Sequence, residues 1–176
     1  MYGNSSIIDE FKNAFKRSDN SLVKIILINL FVFLLLIVVE VFSFFLGAPH
    51  IHERVLLQLM LPSHLESFAF KPWTLITYFF SHQGFLHFAF NMLWLYWFGK
   101  LIMEYLGSKK LTSIYVLGGI VGGLTYILFY NLIPVFADQV LYGRMLGASA
   151  GVYAVVVAAA TLMPNYTFFL FLIGPV

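Results

Sequence analysis

The sequence predicts an all-α polytopic membrane protein with four complete transmembrane helices, part of a fifth, and a long first loop at the membrane interface. Three observations predict it. Of the 176 residues, 61% are hydrophobic and only 10% charged, whereas a soluble domain carries about a quarter charged residues. Mean hydropathy is +0.89. Apolar runs close to the ~20 residues needed to cross ~30 Å of hydrocarbon recur along the chain. An ordinary water-soluble globule is excluded. Ten basic residues against eight acidic ones give no basic surface for nucleic acid. The absence of cysteine removes disulfides, thiolate metal sites and cysteine nucleophiles.

The first run, 25–46, is interrupted only by Asn29, Glu40 and Ser43. It is too long for the core of a signal peptide and follows 24 residues with several charges, so it reads as a retained span. The second covers 85–105 and the third 111–133. The fourth, 148–163, is 16 residues long and rich in small side chains. A fifth begins near Tyr166 and reaches only 11 residues by Val176, roughly 16 Å of helix. Terminal carbonyls inside hydrocarbon would lack partners, so the expectation is a sequence cut within its fifth span. Residues 1–24 are expected to form a cytoplasmic N-terminal segment and residues 25–176 the membrane domain. Within the former, Ile8, Phe11 and Phe15 share a helical face, which suits either a helix lying on the leaflet or a short solvated lead-in.

Orientation follows the basic residues. Lys12, Lys16, Arg17, Lys24, Lys100, Lys109 and Lys110 fall on one side of an alternating topology, and Arg54, Lys71 and Arg144 on the other. The N-terminus is therefore expected in the cytoplasm, with spans two and four entering from outside. The connection 47–84 is long yet apolar and aromatic, with Leu61, Phe68, Trp73, Tyr78 and Phe79 among its residues. Such a segment belongs in the interface, packed on the bundle.

Polar groups inside spans are costly and carry a functional hypothesis by default. His87 and Asn91 are four apart at the start of span two, hence on one helix face, and His82 precedes them. They are either interhelical hydrogen-bond donors or parts of a site; with no carboxylate beside them they make a poor metal set. Gly147-Ala148-Ser149-Ala150-Gly151 opens span four. Taken alone, its glycines suit close helix packing, and the nucleophile elbow of soluble hydrolases is not expected because no strand is predicted ahead of it. Taken together, the two sites lie at similar depth below the outer surface. Ser149 would sit at the positive end of a helix dipole, with His87 and Asn91 as donors around a pocket suited to an oxyanion. Tyr153 lies one turn below it on the same face. Gly118-Gly119-x-x-Gly122-Gly123 in span three presents two small-residue faces, expected where a helix is pressed between neighbours.

His82-x4-His87-x3-Asn91, Gly-Ala-Ser-Ala-Gly and Tyr153 four after the serine resemble the rhomboid intramembrane serine proteases, in these spans and with this long first loop. The resemblance implies a rhomboid-like helical bundle in which Ser149 is the nucleophile and His87 and Asn91 are oxyanion donors alongside the Ser149 N–H. It further implies that His82 supports the site, that Gly147 and Gly151 permit close helix approach, and that Tyr153 stacks on the catalytic base. Substrates would be other proteins of the lipid bilayer, cut near the outer end of a transmembrane segment, with no cofactor and no metal. One departure stands out: the family's general base is a histidine on a sixth span, and this sequence has no histidine after His87. Serine at its free pKa needs such a base, so the 176 residues alone are expected not to hydrolyse peptide bonds at a useful rate. Two other readings are a pseudoprotease that binds transmembrane segments without cutting them, and a small transporter. Short loops and a compact N-terminus suit a bacterial inner membrane.

Overall fold

The computed structural model describes residues 20–164 together with the pairs Phe169–Leu170 and Gly174–Pro175. The lead-in segment before Asn20, including the amphipathic stretch at Ile8, Phe11 and Phe15, lies outside the described residues. So does most of the expected fifth span.

Four long helices form the frame: α1 (Ser21–Phe45), α5 (Phe85–Leu106), α6 (Ser108–Leu132) and α7 (Ser149–Leu162). Each coincides with one of the apolar runs 25–46, 85–105, 111–133 and 148–163, with ends set by local chemistry. The Asn20 side chain accepts from the Val23 N–H at 3.2 Å, so α1 begins four residues ahead of the apolar run. Gly47, at φ +63°, stands just past its end. Gly84 and Gly107, at φ +89° and +82°, bracket α5. At Gly107 the chain turns into α6 through a backbone conformation that L side chains rarely adopt. By length and composition two of these helices, Ser21–Phe45 and Ser108–Leu132, are long and apolar enough to cross a membrane.

The connection between α1 and α5 is structured throughout. It contains α2 (His50–Leu59), β1 (Leu61–Pro62), α3 (Leu65–Phe70), α4 (Thr74–Thr77) and a 3₁₀ turn at Tyr78–Phe80. The last carbonyls of α2 would otherwise lack partners. Those of Leu57, Gln58 and Leu59 accept from Lys71 Nζ at 3.3 Å, Trp73 Nε1 at 2.8 Å and Thr77 Oγ1 at 2.9 Å. Leu61, Tyr78 and Phe79 are buried, so this loop is packed against the bundle.

The paired glycines of α6 explain how it holds two neighbours. Gly118 and Gly122 lie against Ala154 and Ala150 of α7, while Gly119 and Gly123 receive Phe79, Leu75 and Tyr78 of the first connection. Between α6 and α7 runs a 3₁₀ segment, Pro134–Gln139, followed by β2 (Arg144–Met145). β2 pairs antiparallel with β1 in the register Leu61↔Met145, Pro62↔Arg144. At the opposite end of the bundle the Ser21 N–H reaches Ser108 Oγ at 3.5 Å. The starts of α1 and α6 therefore sit together, away from the β1–β2 pairing.

At the C-terminal end, β3 (Phe169–Leu170) pairs antiparallel with β4 (Gly174–Pro175). These four residues of the expected fifth helix are extended, in keeping with the poor helix propensity of Gly174 and Pro175.

Candidate functional site

His87, in the first turn of α5, meets Gly147, two residues ahead of the start of α7. Gly147 turns the chain from β2 into α7 at φ +115°, a conformation available to glycine at little steric cost. Its N–H donates to the Tyr78 carbonyl at 2.9 Å. The next amide, of Ala148, donates to His82 Nε2 at 3.2 Å. With Ser63 N–H bonded to the Gly143 carbonyl at 3.1 Å, the whole approach to α7 is clamped onto the first connection. A strand, two residues long, does precede Ser149, which the local sequence did not lead us to expect. It has no local alternation to announce it, and its partner Leu61–Pro62 lies more than eighty residues away.

Ser149 is the first residue of α7 and is half-buried; the preceding Ala148 gives no side-chain cap. First-turn amides of a helix have no intrahelical acceptor, so this N-terminus offers N–H donors and positive potential to a developing negative charge. His87 lies against Gly147, two residues ahead of Ser149. A Cβ added to Gly147 would stand 2.6 Å from His87 Cε1 and 2.8 Å from Nε2. Gly151 permits a second close approach, since a Cβ there would meet the Tyr115 carbonyl oxygen at 2.7 Å.

Below His87, a cavity of about 350 Å³ separates α5 from α7 and is lined by His87, Asn91, Trp94, Val152, Tyr153 and Val156 among others. It is mostly apolar, with His87 and Asn91 as its polar wall on the α5 side. Asn91 is 7% exposed, and its Nδ2 donates to the His87 carbonyl at 2.9 Å. That bond uses one of two amide hydrogens and leaves the other for a ligand. Tyr153 is exposed on the α7 side of the same cavity.

His82 is buried and stands edge-on to His87, ring centroids 5.3 Å apart, and to Phe88 at 5.4 Å. Burial, and secondarily the nearby His87, lower its pKa from 6.5 to about 4; the Phe80 carbonyl pulls the other way. A neutral ring whose Nε2 accepts from Ala148 carries its proton on Nδ1. His82 thus supports the loop ahead of Ser149 through a named hydrogen bond.

Two further polar residues belong to this region. Asn29 of α1 is fully buried and donates through Nδ2 to Tyr115 Oη at 3.1 Å. Tyr115 in turn donates to the Phe79 carbonyl at 3.0 Å. An asparagine inside an apolar run was the available signal; its partner lies 86 residues on.

The sequence is similar to one family of known proteins. The sequence model of the Rhomboid domain matches residues 69–175, a stretch that contains His82, His87, Asn91, Gly147, Ser149, Gly151 and Tyr153. Rhomboid protein 1, mitochondrial, of Saccharomyces cerevisiae is 36% identical over 92 residues, covering 52% of this chain. The match spans 25% of that relative's own length. The name of this relative points to mitochondria and so lends no support to a bacterial inner membrane. With more than half of its residues matching the domain, the chain belongs to the rhomboid family.

Proposed function

We propose that the whole protein is an intramembrane serine endopeptidase that cleaves transmembrane segments of other membrane proteins, with Ser149 as nucleophile. The observation that carries this reading is the seating of His87 against Gly147, two residues before a serine that opens an uncapped helix. Ser149 Oγ attacks the scissile carbonyl carbon and gives its proton to a general base. The carbonyl oxygen becomes an oxyanion held by the Ser149 N–H, the free Asn91 Nδ2 hydrogen and His87. Collapse expels the amine, protonated by the same base, and leaves an acyl-serine that water then hydrolyses. In this reading neither histidine beside Ser149 is that base, since His87 serves as a donor and His82 Nε2 is taken by the Ala148 N–H.

In this reading α1, α5, α6 and α7 are four spans, with residues 1–24 on the cytoplasmic side. Lys24, Lys109 and Lys110 sit near the paired starts of α1 and α6, while Lys71 and Arg144 lie toward the β1–β2 end. That segregation supports spans two and four entering from outside. The cavity between α5 and α7 then opens within the bilayer, where a transmembrane substrate travels.

The test is cleavage of a single-span reporter by the whole protein in liposomes, wild type against Ser149→Ala. Cleavage by the first and none by the second is expected. Undiminished cleavage by the variant overturns Ser149 as nucleophile.

A second reading, a family member that binds transmembrane segments without cutting, draws on the Asn91 amide being already engaged by its own helix. It predicts reporter binding by wild type and Ser149→Ala alike, with cleavage by neither.

A further inference from the structure

We propose that Asn29 is a positioning residue for the Ser149 helix, acting on His82 through one buried water held between Asn29 Oδ1 and His82 Nδ1. Among the described residues these two are buried polar atoms without a hydrogen-bond partner, and their chemistry is complementary. His82 Nε2 accepts from Ala148, so Nδ1 bears hydrogen and must donate. Asn29 Nδ2 gives its hydrogens to the Ile25 carbonyl at 2.8 Å and to Tyr115 Oη at 3.1 Å. Turning the amide over would set its oxygen against the Ile25 carbonyl, acceptor facing acceptor. Oδ1 therefore remains as an acceptor in need of a donor.

The two atoms belong to one corner of the bundle. Asn29 reaches the backbone of Phe79 through Tyr115, three residues before His82. One turn beyond Asn29, Phe33 stacks on Phe88 at 4.4 Å, and Phe88 meets the His82 ring edge-on at 5.4 Å. No direct Asn29–His82 hydrogen bond is made. A water accepting from Nδ1–H and donating to Oδ1 and to the Phe80 carbonyl would have three partners, the usual number for a buried water. Such a bridge holds His82 in the Nδ1–H tautomer and leaves Nε2 free to accept from Ala148, one residue before Ser149. Helix α1 thereby acts on the start of α7 through His82.

The inference deepens the proposed site, and its readout requires no cleavage, so failure of the bridge and failure of the protease reading are separable. The experiment is nitrogen NMR of the whole protein labelled with 15N-histidine in a bilayer mimetic, His82 being assigned by His82→Gln. The expected result is a pyrrole-type Nδ1 with a cross-peak to water and a pyridine-type Nε2. Asn29→Leu should abolish the cross-peak and mix the tautomers, while Asn29→Asp, which keeps an acceptor, should retain the Nδ1–H form. Tyr115→Phe should leave the His82 tautomer unchanged. If Asn29→Leu loses its helical signal, Asn29→Ala is read in the same way. An Nε2–H tautomer in the wild type overturns the proposal. So does an unchanged His82 spectrum in folded Asn29→Leu or Asn29→Ala, or a Tyr115→Phe effect as large as that of removing Asn29.

Discussion

The His87 imidazole lies against the α-carbon of Gly147, so close that a single added methyl group would stand 2.6 Å from its Cε1. The same glycine holds φ +115°. Two independent requirements thus fall on one residue: a backbone conformation that L side chains rarely adopt, and space for a ring from another helix. Together they set how closely His87 of α5 approaches the turn that leads into Ser149.

Gly147→Ala should therefore cost more than its backbone strain. The φ alone is worth about 1–3 kcal/mol, and displacement of His87 adds to it. Reversible unfolding in detergent, run as a cycle with His87→Ala, separates the two parts. Removing the ring should relieve the steric part and leave the backbone part. Strictly additive losses would mean that the ring yields freely.

Gly151→Ala tests a different contact. Its Cβ would meet the backbone carbonyl of Tyr115 at 2.7 Å, and a backbone atom cannot step aside as a side chain can. Helices α6 and α7 must separate, at a cost of about 1–3 kcal/mol typical of overpacking. Thermal unfolding should reveal it, with Gly84→Ala as comparison, since Gly84 has a positive φ but no atom within 4 Å of an added Cβ. A loss at Gly151 no larger than that at Gly84 would argue against close packing.

How far the sequence reaches is visible in these residues. Helix positions were legible because a bilayer-length apolar run and glycine ends are local properties: α5 and α6 begin or end within a few residues of 85–105 and 111–133. The shared face of His87 and Asn91 was legible for the same reason, being one helical turn. The double glycine face of α6 announced two neighbours, although not which ones. Contacts between distant segments left no local trace. The β1–β2 pairing, the His82–Ala148 bond and the Asn29–Tyr115–Phe79 chain all join residues brought together only by packing of the bundle. The spacing that singled out His82 does not encode the bond it makes, as acceptor for the Ala148 amide.

Burial of His82 carries a pH dependence. Its folded pKa is about 4 against 6.5 for the free group. Between these values the unfolded chain binds a proton that the folded chain refuses, so stability rises with pH there. The contribution is fully present above about 6.5 and is lost as pH falls through about 4. Unfolding midpoints across this range should decline toward acid in the wild type. His82→Asn, which keeps an acceptor without a titrating ring, should flatten that decline. An unchanged slope in the variant would assign the acid sensitivity to other groups.

Asn91 offers the sharpest separation of chemistry from structure. Its Nδ2 already donates to the His87 carbonyl, so only its second hydrogen is available to an oxyanion. Removing one such donor typically costs about 10²–10³ in kcat, whereas removing the nucleophile ends turnover by this route. In the whole protein, Asn91→Ala should thus retain measurable cleavage of a single-span reporter, with KM little changed because the donor acts on charge that develops only in the transition state. Ser149→Ala in the same assay should retain none. If Asn91→Ala instead raises KM with kcat intact, the amide serves ground-state binding at the wall of the cavity. If the variant fails to fold, the bond to the His87 carbonyl is its main role, and the oxyanion falls to the Ser149 N–H and His87.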